Sequence, residues 1–342
     1  MTVNVDVAIV GAGPVGLFAV FACGQLGMRT AVIDGLADPG GQLTALYPEK
    51  PIYDIPGRSK IRADALVDDL LAQAEPYEPN YILGHHAQAC SETSDGTFVV
   101  TTSGSRKVFA RAVLLAAGAG AFGPNRPPLE GIRAFENKSV FYHVGRRDRF
   151  AGKRLLIAGG GDSAVDWALS LAEVAQSVTV VHRRDTFRAL PAAVAAMQAD
   201  PRIQVETPYQ LVGLDGVDGH LRAVNIGRIG GNAKRIGADA LLALFGLSGD
   251  LGPLADWGVH IDGKTIPVDA KTCETSRSGI YAIGDVARYP GKLNLILTGF
   301  AEAATAANAA FARVFPGKTL HSEYSTTRGV PVSTQNQHFQ TA

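Results

Sequence analysis

Cysteine is scarce in this sequence. Cys23, Cys90 and Cys273 are the only three among 342 residues, and no two lie close together. No C-x-x-C pair and no cysteine-based metal spacing can be written from them. That absence removes dithiol exchange and a structural zinc site, and it suits thiols resting in a reducing compartment. Net charge is also lacking: 32 basic and 32 acidic residues cancel. No global field therefore draws the chain to nucleic acid or to an anionic membrane. No apolar run approaches the roughly 20 residues that span a bilayer. The first apolar strand begins within a few residues of Met1 and runs straight into a glycine turn, so no signal peptide is expected. The expectation is a cytoplasmic chain.

Core-forming residues and glycine are plentiful. Apolar residues make up 46% and charged residues 19%, enough for a substantial buried core. The length suggests two domains of ordinary size. The 39 glycines cluster beside apolar runs, as in tight strand-to-helix turns rather than flexible linkers.

One unit is written twice. Val3 to Val10 reads as a buried parallel strand, followed by the turn Gly11-Ala-Gly13-Pro14-Val-Gly16 and a helix of small residues from Leu17 to Leu26. A second strand from Arg29 to Ile33 ends in Asp34. The pattern recurs as the strand Lys153 to Ala158, the turn Gly159-Gly-Gly161-Asp162-Ser163-Ala164, the helix Val165 to Val174 and the strand Ser177 to Val181. There His182 takes the place of the terminal acid. The separation from Gly11 to Asp34 equals that from Gly159 to His182. Downstream, the runs 98–102, 107–109 and 111–117 form a meander that closes at Gly118. The runs 221–226, 234–236 and 240–244 repeat it, closing at Gly246. A repeat this long means two related domains, not a solenoid. Because Gly284-Asp285 and the last helix still need a sheet, the second unit is expected as an insertion in the first.

The position after the second strand separates the two copies. A G-x-G-x-x-G between strand and helix, with an acid about 20 residues on, is the context of a dinucleotide site. Its glycines let backbone N–H groups approach a pyrophosphate at the helix N-terminus. Asp34 suits the hydroxyls of an adenine ribose and repels a 2′-phosphate, so the first copy takes FAD or NAD rather than NADP. In the second copy His182, Arg183 and Arg184, with Arg188 close behind, supply charge-assisted bonds to a 2′-phosphate. That copy reads as an NADP(H) site. The first must then hold the other partner of a hydride transfer. Tyr281 to Asp285 is an apolar strand ending in Gly-Asp, and Asp285 suits the ribityl chain of FAD. The N-terminus of the following helix, Leu295 to Phe311, favours negative charge on a reduced flavin ring.

These motifs resemble the flavoproteins with two dinucleotide-binding domains, and among them the thioredoxin-reductase-like group, over essentially the whole chain. Gly40-Gly41-Gln42-Leu43 is similar to that group's flavin-contacting loop. Thioredoxin reductases carry a C-x-x-C in the NADPH domain, whereas the corresponding stretch here, Ser139 to Gly145, has no cysteine. Dithiol exchange is therefore excluded. Three stretches are more similar to the bacterial thioredoxin-reductase-like ferredoxin–NADP reductases: Gly41 to Lys50, Gly160 to Ala168, and the aromatic-Ser-Thr tail Tyr324-Ser325-Thr326. The resemblance implies a flavin ring between two aromatics, Tyr47 and either Tyr324 or His321, with Ser325 near N5 and Thr326 at the ring edge. It adds flavin contacts at Gln42, Phe122 and near Gln88.

The expected architecture is α/β: two Rossmann-like, three-layer ββα dinucleotide-binding domains, the NADPH domain inserted into the FAD domain. Residues 1–119 and 244–327 form the FAD domain, 120–243 the NADPH domain and 328–342 a polar tail without assigned structure. The resemblance implies an enzyme that exchanges hydride with NADP(H) at a flavin, and single electrons with ferredoxin or flavodoxin. It also implies a homodimer. No nucleic acid, membrane or metal is expected. An NADPH diaphorase acting on quinones or oxygen, and a nonenzymatic flavin redox sensor, are the competing readings. Two basic clusters, Arg58-Lys60-Arg62 and Arg146-Arg147-Arg149, read as solvated surface charge before they read as a docking patch.

Overall fold

Four consecutive residues, Val7–Val10, are buried on both faces, which only a strand covered above and below achieves. It is the centre of a five-stranded parallel sheet in the order Ile280–Ala282, Ala112–Leu115, Val7–Val10, Thr30–Asp34, Asn80–Leu83. Alternation along the strand sends successive side chains to opposite layers. Val7 and Ile9 pack with Ala19, Val20 and Cys23 of helix Pro14–Gln25 and with Ala303, Ala306 and Ala310 of helix Ile296–Val314. Ala8 and Val10 face the other way, toward Phe98, Val100 and Val108 of a second sheet. That sheet has the order Thr2–Asn4, Lys107–Ala110, Phe98–Thr102, Ala87–Glu92. Three layers result, sheet, sheet and helix.

The computed structural model describes residues 2–118, 120–228, 231–245, 247–320, 326, 329 and 330, with backbone alone for 121–124 and 247–250. The chain divides into two compact units, Met1–Phe122 with Gly249–Ala342, and Gly123–Ser248. The sequence reading put the crossings at 119/120 and 243/244. The strands at the two crossings, Ala121–Pro124 and Leu247–Asp250, pair with each other.

The inserted unit repeats the first. Its parallel sheet runs Val140–Phe141, Ala240–Ala243, Arg154–Ala158, Ser177–Val181, Ile203–Glu206. Leu156 and Ala158 pack against Leu221, Val224 and Ile226 of an antiparallel three-stranded sheet. Four strands match the first unit in order, but the edge strand Val140–Phe141 precedes them in the chain, whereas Ile280–Ala282 follows them.

Two sequence expectations need correction. The strand read as Val3 to Val10 breaks at Val5–Asp6, and Thr2–Asn4 pairs in parallel with Lys107–Phe109 in the other layer. Asp6 enforces the break. Its carboxylate accepts the Arg29 N–H at 2.8 Å and binds the Arg29 guanidinium, an arrangement suited to a sheet edge and not to an apolar interior. The second unit also has a strand that was not anticipated, Gln210–Val217, with two register shifts beside Gly213 and Gly216.

Phe98 is wholly buried and held by two cations. The guanidinium carbons of Arg277 and Arg313 lie 5.3 and 5.0 Å from its ring centre, and both arginines pair with Glu92. This cluster ties the meander to the segment before strand Ile280–Ala282 and to the last helix.

Candidate functional site

In an open parallel sheet the carboxyl ends of the strands are the natural place for a ligand. A cleft of about 470 Å³ lies there in the first unit, where strands Val7–Val10, Thr30–Asp34 and Ala112–Leu115 end. Gly11, Gly13, Pro14, Asp34, Gly41, Gln42, Tyr47 and Asp285 all line it.

The first turn is built on close backbone approach. Gly11 has φ +111°, and a Cβ there would collide with the Ala116 carbonyl. Gly16 lies outside the lining, yet its Cβ would strike the Gly11 carbonyl oxygen. Gly13 has nothing within 4 Å of where a Cβ would be, so it faces open space. Helix Pro14–Gln25 begins at Gly13 with no side-chain cap and proline at its start, which leaves its positive end toward the cleft. Gly41, at φ +58°, would bring a Cβ to 3.0 Å from the Gly13 Cα, and the Gly40 N–H donates to the Ala12 carbonyl at 2.8 Å. The two glycine loops therefore touch.

Asp34 stands at one end of the cleft. One carboxylate oxygen accepts the Ala12 N–H at 2.6 Å and the other the Leu36 N–H at 2.8 Å. Each oxygen keeps a second lone pair for a ligand hydroxyl. His86 lines the cleft here and packs directly over Gly35. Tyr47 and Asp285 form another part of the wall. Asp285 is exposed on the cleft wall, yet the protein around it removes enough water to raise its carboxyl above the ordinary range, against the pull of Lys292. Burial likewise pushes the Tyr47 phenol up, helped by the Asp285 charge.

Two other expected flavin contacts lie outside the cleft lining. Gln88 does not line the cleft; its neighbour Ala87 does, while the Gln88 carbonyl accepts from the Trp257 indole at 3.4 Å. Thr326 is exposed and away from the lining. The Phe122 side chain, Tyr324, Ser325 and the alternative His321 lie outside the described residues. The tail 328–342 also does, apart from Gly329 and Val330.

The second unit presents the equivalent turn. A Cβ on Gly159 would come within 2.7 Å of the Leu244 carbonyl oxygen, as one on Gly11 would meet Ala116. Gly161, like Gly13, faces open space, and it begins the uncapped helix Asp162–Leu171. Ala164 replaces the third glycine and is buried, while Ser163 is exposed. The segment after strand Ser177–Val181 folds back over this turn. The Arg188 N–H donates to the Gly160 carbonyl at 2.7 Å, and the Leu190 N–H to the Asp162 carboxylate at 3.1 Å.

Arg183, Arg184 and Arg188 are exposed there and form no ion pair among the described residues. His182 stands apart from them. It is 8% exposed, packs beneath Gly160, and tilts against Phe187 at 5.2 Å. Its Nε2 has no hydrogen-bond partner, and burial lowers its pKa, so the ring is neutral. His182 supports the turn and adds no charge to the arginine face.

Four of the six cations in the two basic clusters are paired locally. Arg58 pairs with Asp69, Arg62 with Asp64, Arg146 with Asp148 and Arg147 with Glu173. The thiols are free and dispersed, and none lies in the inserted unit. Burial pushes Cys23 up to about 12, and Cys90 and Cys273 up to about 11. Thiolate chemistry at neutral pH is suppressed at all three. No helix among the described residues is long and apolar enough to cross a membrane.

Sequence reasoning missed part of the cleft wall. His86, the segment Leu251 to Leu254, and Asn294 join it from distant parts of the chain. The only local signal was Leu295-Ile296, where the last helix starts.

Two glycine turns on matching sheets, each at the mouth of an uncapped helix, define a protein with two dinucleotide-binding units. Comparison with known proteins agrees. The family model described as pyridine nucleotide-disulphide oxidoreductase matches residues 5–310. The solved thioredoxin reductase of Lactococcus lactis shares the fold, with TM-score 0.77 at 24% identity over 91% of this chain and 99% of that one. Ferredoxin–NADP reductase of Rhodospirillum rubrum is 53% identical, covering 95% of this chain and 96% of its own. Ferredoxin–NADP reductase of Anaplasma phagocytophilum is 52% identical over 95% of this chain and 97% of its own. The chain belongs to the pyridine nucleotide-disulphide oxidoreductase family and, within it, to the ferredoxin–NADP reductases.

Proposed function

We propose that this chain is an FAD-dependent ferredoxin–NADP reductase, with FAD in the first unit and NADP(H) in the second. The observation that carries the reading is an asymmetry between equivalent positions. Strand Thr30–Asp34 ends in a carboxylate on the cleft wall, and strand Ser177–Val181 leads into two exposed arginines. Lack of any thiol in the inserted unit argues against disulfide substrates.

The residues present fit the cofactors. In the first unit the Gly11, Gly13, Pro14 and Gly16 turn offers N–H groups and a helix end to a pyrophosphate. Asp34 takes the adenine ribose. Gly41, Gln42 and Tyr47 flank the flavin, Asp285 binds its polyol chain, and Phe122 and a backbone position near Gln88 add further contacts. By the resemblance, Tyr324 would stack on the other ring face, with Ser325 and Thr326 of the same tail segment beside it, and this tail would gate nicotinamide. In the second unit Gly159, Gly161, Asp162, Ser163 and Ala164 form the pyrophosphate turn, and Arg183, Arg184 and Arg188 clamp the 2′-phosphate. His182 holds that turn from beneath.

Bound FAD supplies the step from two-electron to one-electron chemistry, accepting hydride from NADPH and releasing electrons singly. The protein's part is to exclude water with aromatic walls and to orient the ring. The electron partner is ferredoxin, with flavodoxin as the alternative carrier. The protein works as a cytoplasmic homodimer.

Anaerobic mixing of the purified holoprotein with NADPH, followed by ferredoxin and cytochrome c, tests this reading. Flavin bleaching followed by ferredoxin-dependent cytochrome reduction is expected. Bleaching with no dependence on ferredoxin leaves a diaphorase. No bleaching leaves a flavin sensor.

A further inference from the structure

Lys292 and Glu302 form an ion pair whose side chains are only 7% and 4% exposed. The pairs Arg29–Asp6, Arg154–Asp239 and Arg313–Glu92 each leave one partner at least about a third exposed, so this pair is of a different kind. Taking both charges out of water is unfavourable unless the remaining lone pairs are satisfied. Here they are. One Glu302 oxygen accepts the Gly284 N–H at 2.7 Å, and the other accepts the Tyr289 hydroxyl at 2.6 Å as well as the Lys292 ammonium.

The location of the pair gives it meaning. Gly284 has φ +73° and immediately precedes Asp285, and both line the cleft. A Cβ at Gly284 would lie 3.4 Å from the Val15 side chain, which belongs to the first turn of helix Pro14–Gln25. On the opposite side, Gly299 of the last helix leaves space for that same Val15, and Glu302 stands one turn further along. Glu302 thus fixes the Gly284-Asp285 turn from beneath, while Val15 fixes it against the first glycine turn. Lys292 balances the Glu302 charge and attracts the Asp285 carboxylate as well. The pair therefore holds a backbone turn and also sets the charge behind the cleft wall.

We propose that Lys292 and Glu302 are positioning residues for the flavin: together they hold the Gly284-Asp285 turn and fix the electrostatic field that sets the flavin's reduction potential. This rests on the assignment of FAD to the cleft of the first unit. A purely structural cap would hold the turn without any effect of sign on the potential. An electrostatic device responds to which charge is removed. Reduction adds negative charge to the flavin, so losing the carboxylate raises the potential and losing the ammonium lowers it.

The test is the midpoint potential of bound FAD, by anaerobic reductive titration against reference dyes, in the holoprotein and in Glu302→Gln, Lys292→Met and the double variant. FAD retention is measured alongside by equilibrium dialysis. A wild-type preparation that does not bind FAD fails the cofactor assignment itself; one that binds FAD isolates the present inference. The expected result is a rise for Glu302→Gln, a fall for Lys292→Met, and a return toward the wild-type value in the double variant. FAD affinity should drop about tenfold in each single variant, where a buried charge is left unpaired. Should the single variants lose FAD altogether while the double variant keeps it, the pairing is again supported, because the neutral pair removes the unbalanced charge. Single variants that shift in the same direction or not at all overturn the proposal. So does a double variant that binds FAD less well than either single one.

Discussion

Replacing Arg183 and Arg184 together by alanine should abolish the preference for NADPH with little effect on the fold. Both side chains are exposed and neither forms an ion pair among the described residues, so their removal breaks no ion pair there. Their removal should change stability by less than about 0.5 kcal/mol. Charge-assisted hydrogen bonds contribute roughly 1.5–3 kcal/mol each when shielded, and solvent exposure brings that down to about 1 kcal/mol per arginine. Two such losses, with about 1.4 kcal/mol per tenfold, give an increase in the KM for NADPH of roughly 30-fold. The kcat should stay within about twofold, because uniform binding is what is lost. NADH has no 2′-phosphate, so its kcat/KM should not move. The assay is steady-state reduction of cytochrome c through ferredoxin with each nucleotide, at two ionic strengths. The wild-type KM for NADPH should rise with salt and the variant's much less. A double variant with the wild-type ratio of NADPH to NADH efficiency would refute the phosphate clamp.

Other outcomes follow from the same geometry. Gly16→Ala places a Cβ against the Gly11 carbonyl and should yield protein largely without bound FAD, whereas Ala164→Gly, at the equivalent position, should keep NADPH binding within a few-fold; flavin absorbance and nucleotide titration check both. Phe98→Ala empties a wholly buried site between Arg277 and Arg313 and should cost about 3–5 kcal/mol in urea unfolding. Burial lowers the pKa of His182 and His143, so the unfolded chain binds their protons first. Their stabilising contribution is complete above about pH 6.5 and declines as pH falls below it. The pH dependence of unfolding should therefore flatten in His182→Asn. Thiol-blocking reagents should leave native turnover unchanged, since burial raises all three cysteines.

Much of the architecture is readable from the chain because its signals are local. A run such as Val7 to Val10 followed by Gly11, Gly13 and Gly16 has few physical solutions, and its recurrence at Gly159 identifies the second sheet. The acid after one second strand and the arginines after the other are equally local, since both follow directly from the strand end. What escaped notice depends on contacts distant in sequence. His86, Leu254 and Asn294 meet only once the sheet has formed. Glu302 looks like any acid on an amphipathic helix until Gly284, Tyr289 and Lys292 close around it. His182 sits in a basic run and reads as a cation, yet its position under Gly160 makes it neutral. The break at Asp6 and the bulged strand Gln210–Val217 were hidden for a related reason: single polar or glycine residues change a strand's course without changing its apolar average.

Direct reduction of ferredoxin is the most telling measurement. With NADPH as sole donor, catalytic enzyme and oxidised ferredoxin under anaerobic conditions, the ferredoxin's visible band should bleach at two ferredoxins per NADPH. The rate should fall sharply when NADH replaces NADPH. Flavin that is reduced by NADPH while ferredoxin stays oxidised would contradict the assignment of a one-electron protein acceptor.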